Sequence, residues 1–155
     1  MPRTRTVCCT AAVALCVTSA ADAATQSERE AALLQVVNET RVAHGVQPLQ
    51  VDAQLGRAAR HHSLSMLRRN VFAHGAFRAR LASYAARGPR FGENLAWGVG
   101  TLAGAHAIVR MWLGSPGHRA NLLRPGFSRV GIGAPVGTFA GHRGAVVVTA
   151  DFAGR

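Results

Sequence analysis

The sequence predicts an α+β domain, and three observations carry that reading. Apolar residues recur at helical spacing through the first two thirds of the chain. The last third changes period and reads as two valine- and glycine-rich strands. Gly88-Pro89 and Pro125-Gly126 punctuate the chain between them, and no internal repeat interrupts it. Helices first and antiparallel strands last suit a domain with its helices segregated from a sheet.

Each element has a local reason. Ser27 with Glu30 three residues on forms a capping box, so a first helix is expected to begin there. Leu33, Leu34, Val37 and Arg41 share one face of it, and Gly45 followed by Pro48 ends it. An arginine on an apolar face reads as a buried, hydrogen-bonded strut, because a buried charge needs partners. Asp52 can cap a second helix to residue 69, with Leu55, Ala58, Ala59, His62 and Met66 facing inward. Its other side carries Arg57, Arg60, His61 and Arg68. Residues 76–87 read as a third, weaker helix. Leu102, Ala105, Val109 and Trp112 mark a fourth, and a short helical turn is expected over 119–123. Residues 130–136 and 145–152 read as strands joined by a hairpin loop over 137–144. Gly131 and Gly133 flank Ile132, which suits a strand that another element approaches closely.

The 155 residues make one domain. Residues 1–23 read as an export signal. Arg3 and Arg5 precede a short apolar run, and Ala21-Asp22-Ala23 has the small-x-small form of a cleavage site. Residues 24–28 then read as a linker and 29–155 as the folded domain. All three cysteines (Cys8, Cys9 and Cys16) lie in the export segment, so the mature domain is expected to hold together without disulfides.

Every one of the 18 basic residues is arginine. Loss of Arg3, Arg5 and Asp22 with the signal lowers the formal charge from +11 to +10. Eight arginines lie between Asp52 and Glu93 with no acid among them. Such a stretch suits a polyanionic partner, with Arg57, Arg60 and Arg68 as its basic face. A genome that encodes arginine in place of lysine explains the missing lysines but not the missing acids. A nucleic-acid partner is not expected, since the chain is read as exported and offers a single tyrosine, Tyr84, for base stacking.

Four segments in order resemble signatures of the CAP/SCP superfamily, the cysteine-rich secretory and pathogenesis-related fold, in a short cysteine-free form. They are Asn38-x-x-Arg41 with Gly45 and Pro48-Leu49; Val71-Phe72-Ala73-His74; Gly92-Glu93-Asn94-Leu95; and Met111-Trp112-x-x-Ser115-Pro116-Gly117-His118-Arg119-x-Asn121-Leu122-Leu123, leading to Phe127 and Val130-Gly131-Ile132-Gly133. The resemblance covers essentially the whole mature chain. It implies a three-layer α-β-α sandwich and a cleft lined by two histidines and two glutamates, which in some members holds a divalent metal. By motif His74, Glu93 and His118 match three of the four. The second glutamate is missing, and Ser115 is the nearest stand-in.

What the resemblance implies is a secreted binding module. It would engage an envelope or extracellular ligand (lipid, polysaccharide or protein) through that cleft and the basic helical face. An anionic lipid or cell-envelope polymer is the expected partner, approached peripherally rather than across a membrane. The alternative is a metal-dependent, peptidase-like hydrolase, with zinc held by His74, His118 and Glu93 and an activated water. Ser115 has no evident neighbour to activate it and reads as a cap for the turn at Pro116. Asn94 and Asn121 read as structural hydrogen-bonders. Glu93 reads either as a cleft residue or as a brace for a loop.

Overall fold

The computed structural model describes residues 20–154, with side chains from residue 25. The expected export segment lies, up to residue 19, outside the described residues. The fold is a three-layer α-β-α sandwich, as the resemblance implied. Its elements are α1 (Ala20–Ala43), β1 (Gln50–Val51), α2 (Ala53–Arg69), α3 (Phe77–Ser83), β2 (Phe91–Gly98), a 3-10 turn (Gly100–Ala103), α4 (Ala105–Gly114), α5 (Pro116–Leu122), β3 (Phe127–Gly133), β4 (Val136–Phe139) and β5 (His142–Gly154).

The sheet runs in the order β1-β3-β5-β2, with β4 also paired to β5; β1 lies parallel to β3 and the other pairs are antiparallel. Alternation along the strands sends side chains to opposite faces. Val146, Val148, Ala150 and Phe152 meet Leu33 and Val37 of α1, Ile108 and Trp112 of α4, and Leu122 of α5. Ala145, Val147 and Leu95 meet Met66 of α2, and Ala153 meets Leu55, Ala58 and Leu81 of α2 and α3. One layer is therefore α1, α4 and α5, and the other is α2 and α3.

Several expectations hold in detail. Asp52 caps α2, its Oδ1 accepting from the backbone of Gln54 and Leu55 at 3.0 and 3.1 Å. Arg41 is completely buried and donates to the carbonyls of Gln47, Leu122, Arg124 and Phe127. It is the strut that ties α1 to α5 and β3. Gly131 and Gly133 lie under α2: a β-carbon at Gly131 would fall 2.0 Å from the backbone of Leu55 and Gly56. Gly131→Ala must push α2 off the sheet. A loss of about 1–3 kcal/mol or more is expected, read as a lower urea midpoint at unchanged slope.

Other expectations change. α1 runs unbroken through residues 24–28, the expected linker, and through Ser27, the expected cap. The alanine-rich segment before Ser27 favours helix, so a cap there is not needed. α3 is shorter than expected, and α5 begins at Pro116 rather than at residue 119, which makes His118 helical. The expected loop over 137–144 holds the end of β4 and the start of β5. The largest change is β2. Gly-Glu-Asn residues are poor strand formers, yet Phe91–Gly98 pairs along its whole length with β5. Glu93 thus stands in a strand, not a loop.

Candidate functional site

The site forms where β2, at the edge of the sheet, meets both helical layers. Glu93 lies directly opposite Asp151 of β5 in the antiparallel register. Both side chains therefore leave the sheet on the α2–α3 side. Asn94 leaves on the other side, toward α5.

On the α2–α3 side the two carboxylates share a cation. Leu81 anchors α3 in the core, and Arg80 beside it reaches inward, its side chain only 8% exposed. Its Nη2 donates to Glu93 Oε2 and, at 3.0 Å, to Asp151 Oδ1. Its Nε has no acceptor among the described residues. Burial foremost pushes the Asp151 carboxyl up to about 8, Arg80 pulling against it and the Glu93 charge reinforcing it. The raised Asp151 carboxyl therefore favours its protonated form at neutral pH, with Arg80 lying across both acidic side chains.

His74 completes the cluster from the loop after α2. Its Nδ1 donates to Glu93 Oε1 at 2.6 Å, and its ring is 58% exposed. His62 holds that loop, its Nε2 donating to the Ala73 carbonyl at 3.0 Å and standing 3.8 Å from Glu93 Oε2. Burial, and next the Arg80 charge, lower the His62 pKa, so this imidazole is neutral at pH 7. Beside the cluster a groove of about 440 Å³ opens between α2 and α3, lined by Met66, Arg69, Val71, Ala76, Ala79 and Arg80 among others.

On the other side, Asn94 Nδ2 donates to the His118 carbonyl at 2.9 Å. Asn121 Nδ2 donates to the carbonyl of Glu93 and to Asn94 Oδ1, each at 3.1 Å. These bonds rivet α5 to β2 and bring His118 near His74. Burial first, and then His74, lower the His118 pKa, so it too is neutral at pH 7. Asn94 and Asn121 are the structural hydrogen-bonders expected. Ser115 occupies the position before α5, but its hydroxyl makes no capping hydrogen bond; Pro116 at the first helical position already sets the entry to α5.

The resemblance implied a metal on His74, Glu93 and His118. The donors present do not fit one. Both Glu93 oxygens are engaged, one by His74 and one by a tethered guanidinium that Asp151 also holds. A divalent cation would have to displace that charge from a buried pair of carboxylates. Among the described residues, no group of three or more His, Cys, Asp or Glu is arranged to hold a metal ion.

The expected basic face is partly neutralised. Arg57 and Arg68 are exposed, but Arg60 forks onto the buried Glu30 of α1, its Nε donating to Oε2 at 2.9 Å. Arg80 and Asp151 were missed by sequence reasoning. The one available signal was an acid in an otherwise apolar strand, at Asp151.

Residues 34–152 match the family described as CAP, cysteine-rich secretory protein family. The uncharacterized protein YkwD of Bacillus subtilis (strain 168) is 33% identical over 112 residues, 69% of this chain and 42% of that protein. The uncharacterized membrane protein YlbC of the same strain is 32% identical over 113 residues, 70% of this chain and 32% of that protein. This chain thus spans less than half the length of either. Among solved structures, an extracellular SCP-domain protein from Bacillus anthracis superposes with a TM-score of 0.76 at 25% identity, covering 90% of this chain and 44% of that one. An outer surface protein from Borrelia burgdorferi does so at 0.70 and 20% identity, over 83% and 93% of the two chains; that likeness is one of fold.

Proposed function

Since the chain belongs to the cysteine-rich secretory protein (CAP) family, we propose that it is a secreted or surface-held binding module that engages an anionic envelope or extracellular ligand. Contact is made through the α2–α3 layer and the adjoining cleft of His74, Glu93 and His118. The likeness to an extracellular SCP-domain protein supports that location. No helix among the described residues is long and apolar enough to cross a membrane.

The observation that carries the proposal is the segregation of charge. Among the described side chains, the exposed carboxylates are Glu28 and Glu39, both on α1. Glu30, Glu93 and Asp151 are buried, and Asp52 is paired with Arg129. The α2–α3 layer carries exposed Arg57, Arg68, Arg69 and Arg78 with no exposed acid beside them. That face attracts anions. The cleft adds the exposed His74 ring and the neutral His118 as hydrogen-bonding groups.

A metal-dependent hydrolase receives no support from the donor set, because Arg80 stands on the carboxylates where the metal would be needed. The test of the binding reading is retention on a defined polyanion such as heparin. Affinity should fall by at least about tenfold between about 50 and 200 mM salt. Arg57→Gln with Arg68→Gln should weaken binding and flatten that salt dependence. His74→Ala should leave the slope alone and lower affinity only to the extent that the cleft takes part. Binding indifferent to both salt and the arginine substitutions would refute the proposal.

A further inference from the structure

The loop that follows α2 presents apolar surface for which the proposed polyanion contact has no use. Val71 and Phe72 are 48% and 45% exposed. Their exposure is built in rather than left over. Asn70 ends α2 in the left-handed conformation, and its Oδ1 accepts from the backbone of Ala140 at 2.7 Å, tying the loop to the β4–β5 hairpin. The Phe72 ring meets Phe139 edge-on with centroids 6.3 Å apart, and Phe139 meets Trp97 at 5.4 Å. The buried Phe139, itself backed by the partly buried Trp97, thus holds the exposed Phe72 ring outward.

The collar of this projection is cationic. Arg68 and Arg69 end α2, one residue (Asn70) before Val71-Phe72, and Arg143 lies on the β4–β5 hairpin that Asn70 ties to this loop; all three are exposed. No ion pair among the described residues includes any of them. Among the described side chains, the exposed carboxylates, Glu28 and Glu39, lie on α1 and not in this layer. A hydrated polyanion can pair with the arginines but gives Val71 and Phe72 nowhere apolar to go. A bilayer with anionic headgroups supplies both charge outside and hydrocarbon within, at the depth a braced aromatic reaches.

We propose that Val71 and Phe72, with Arg68, Arg69 and Arg143 around them, form a docking surface for an anionic phospholipid bilayer. The proposal rests on the reading of the α2–α3 layer as anion-binding and names its partner. The side chains enter the interfacial region while the arginines pair with lipid phosphates. The docked domain stays on one side of the membrane.

Sedimentation with vesicles tests it, using phosphatidylcholine alone and phosphatidylcholine mixed with phosphatidylglycerol, beside heparin retention of the same proteins. The wild type should bind the mixed vesicles and not the neutral ones. Val71→Ser with Phe72→Ser should weaken vesicle binding about tenfold, the loss of two half-buried apolar side chains, and leave heparin retention unchanged. Arg68→Gln should weaken both, by about fivefold on vesicles. Phe72→Trp, which keeps the apolar ring, should bind vesicles at least as well as the wild type. Heparin retention without vesicle binding would overturn the bilayer proposal and leave a polymer-binding module. Vesicle binding unchanged in the serine variant would overturn it too, because adsorption would then be electrostatic alone. Failure on both heparin and vesicles would remove the anion-binding reading itself.

Discussion

Replacing Arg80 with methionine is expected to destabilise the domain by about 3–5 kcal/mol at pH 7, measured by urea denaturation. The side chain is 8% exposed and lies on Glu93 and Asp151, which are 2% and 0% exposed. Methionine fills much of the same space, so the loss reports charge rather than volume. The buried Glu93 and Asp151 side chains would lose the guanidinium that both hold, and His74, which reaches only Glu93, cannot replace it. Against a total stability of about 5–15 kcal/mol, the effect is large. Arg80→Lys should recover only part, since an ammonium cannot present a planar fork to both partners.

The same cluster sets a pH dependence whose sign is fixed by Asp151. Its folded pKa of about 8 stands above the ordinary carboxyl value of 3.8. The folded state therefore holds the extra proton between those values. Its contribution to stability is complete below the lower one and is lost as pH rises toward the upper one. Wild-type stability should carry a declining component between about pH 4 and pH 8. Asp151→Asn keeps the shape and has no proton to lose, so it should flatten that component. Urea midpoints at pH 5 and pH 8 for both proteins provide the comparison; an equal decline in the two would show that Asp151 does not titrate in this range.

Arg41→Met is expected to cost a comparable amount, about 3–5 kcal/mol, for a different reason. No carboxylate faces Arg41 among the described residues. It gathers carbonyls from Gln47, Leu122, Arg124 and Phe127, at 2.8, 2.7, 3.3 and 2.9 Å. Removing the guanidinium strands these acceptors, and the bonds to Leu122 and Phe127 are buried away from water. The variant should show a depressed urea midpoint and earlier amide exchange in the segment from α5 into β3, which Arg41 holds against α1. An exchange pattern that falls evenly over the whole domain would argue against so local a strut.

The legible part of the chain is the part that obeys local rules. Leu55, Ala58, Ala59 and Met66 mark the buried face of α2 because they recur at its period, and Asp52 marks its start because its carboxylate can cap two orphan amides. Arg41 announces itself as a strut by standing on an apolar face. Gly131 and Gly133 announce a close approach because nothing larger fits there. His74, Glu93 and His118 were legible through motif resemblance, and the structure brings all three to one edge of the sheet.

The composition of the cluster was not legible in the same way. Glycine, glutamate and asparagine hide β2 from any propensity argument, because its stability comes from pairing with β5 and not from its own residues. Arg80 sits on a short helix 13 residues before Glu93, and Asp151 lies 71 residues beyond Arg80. No periodicity links such positions. Order along the chain was enough for the helical faces, the cap of α2, the strut and the arginine-rich charge. Packing was needed to show that Arg80 stands on Glu93 where a metal was expected, that Arg60 is consumed by Glu30, and that Val71 and Phe72 are held outward. Local patterns encode which face of an element is buried, whereas cross-strand register and layer packing decide which buried charges meet.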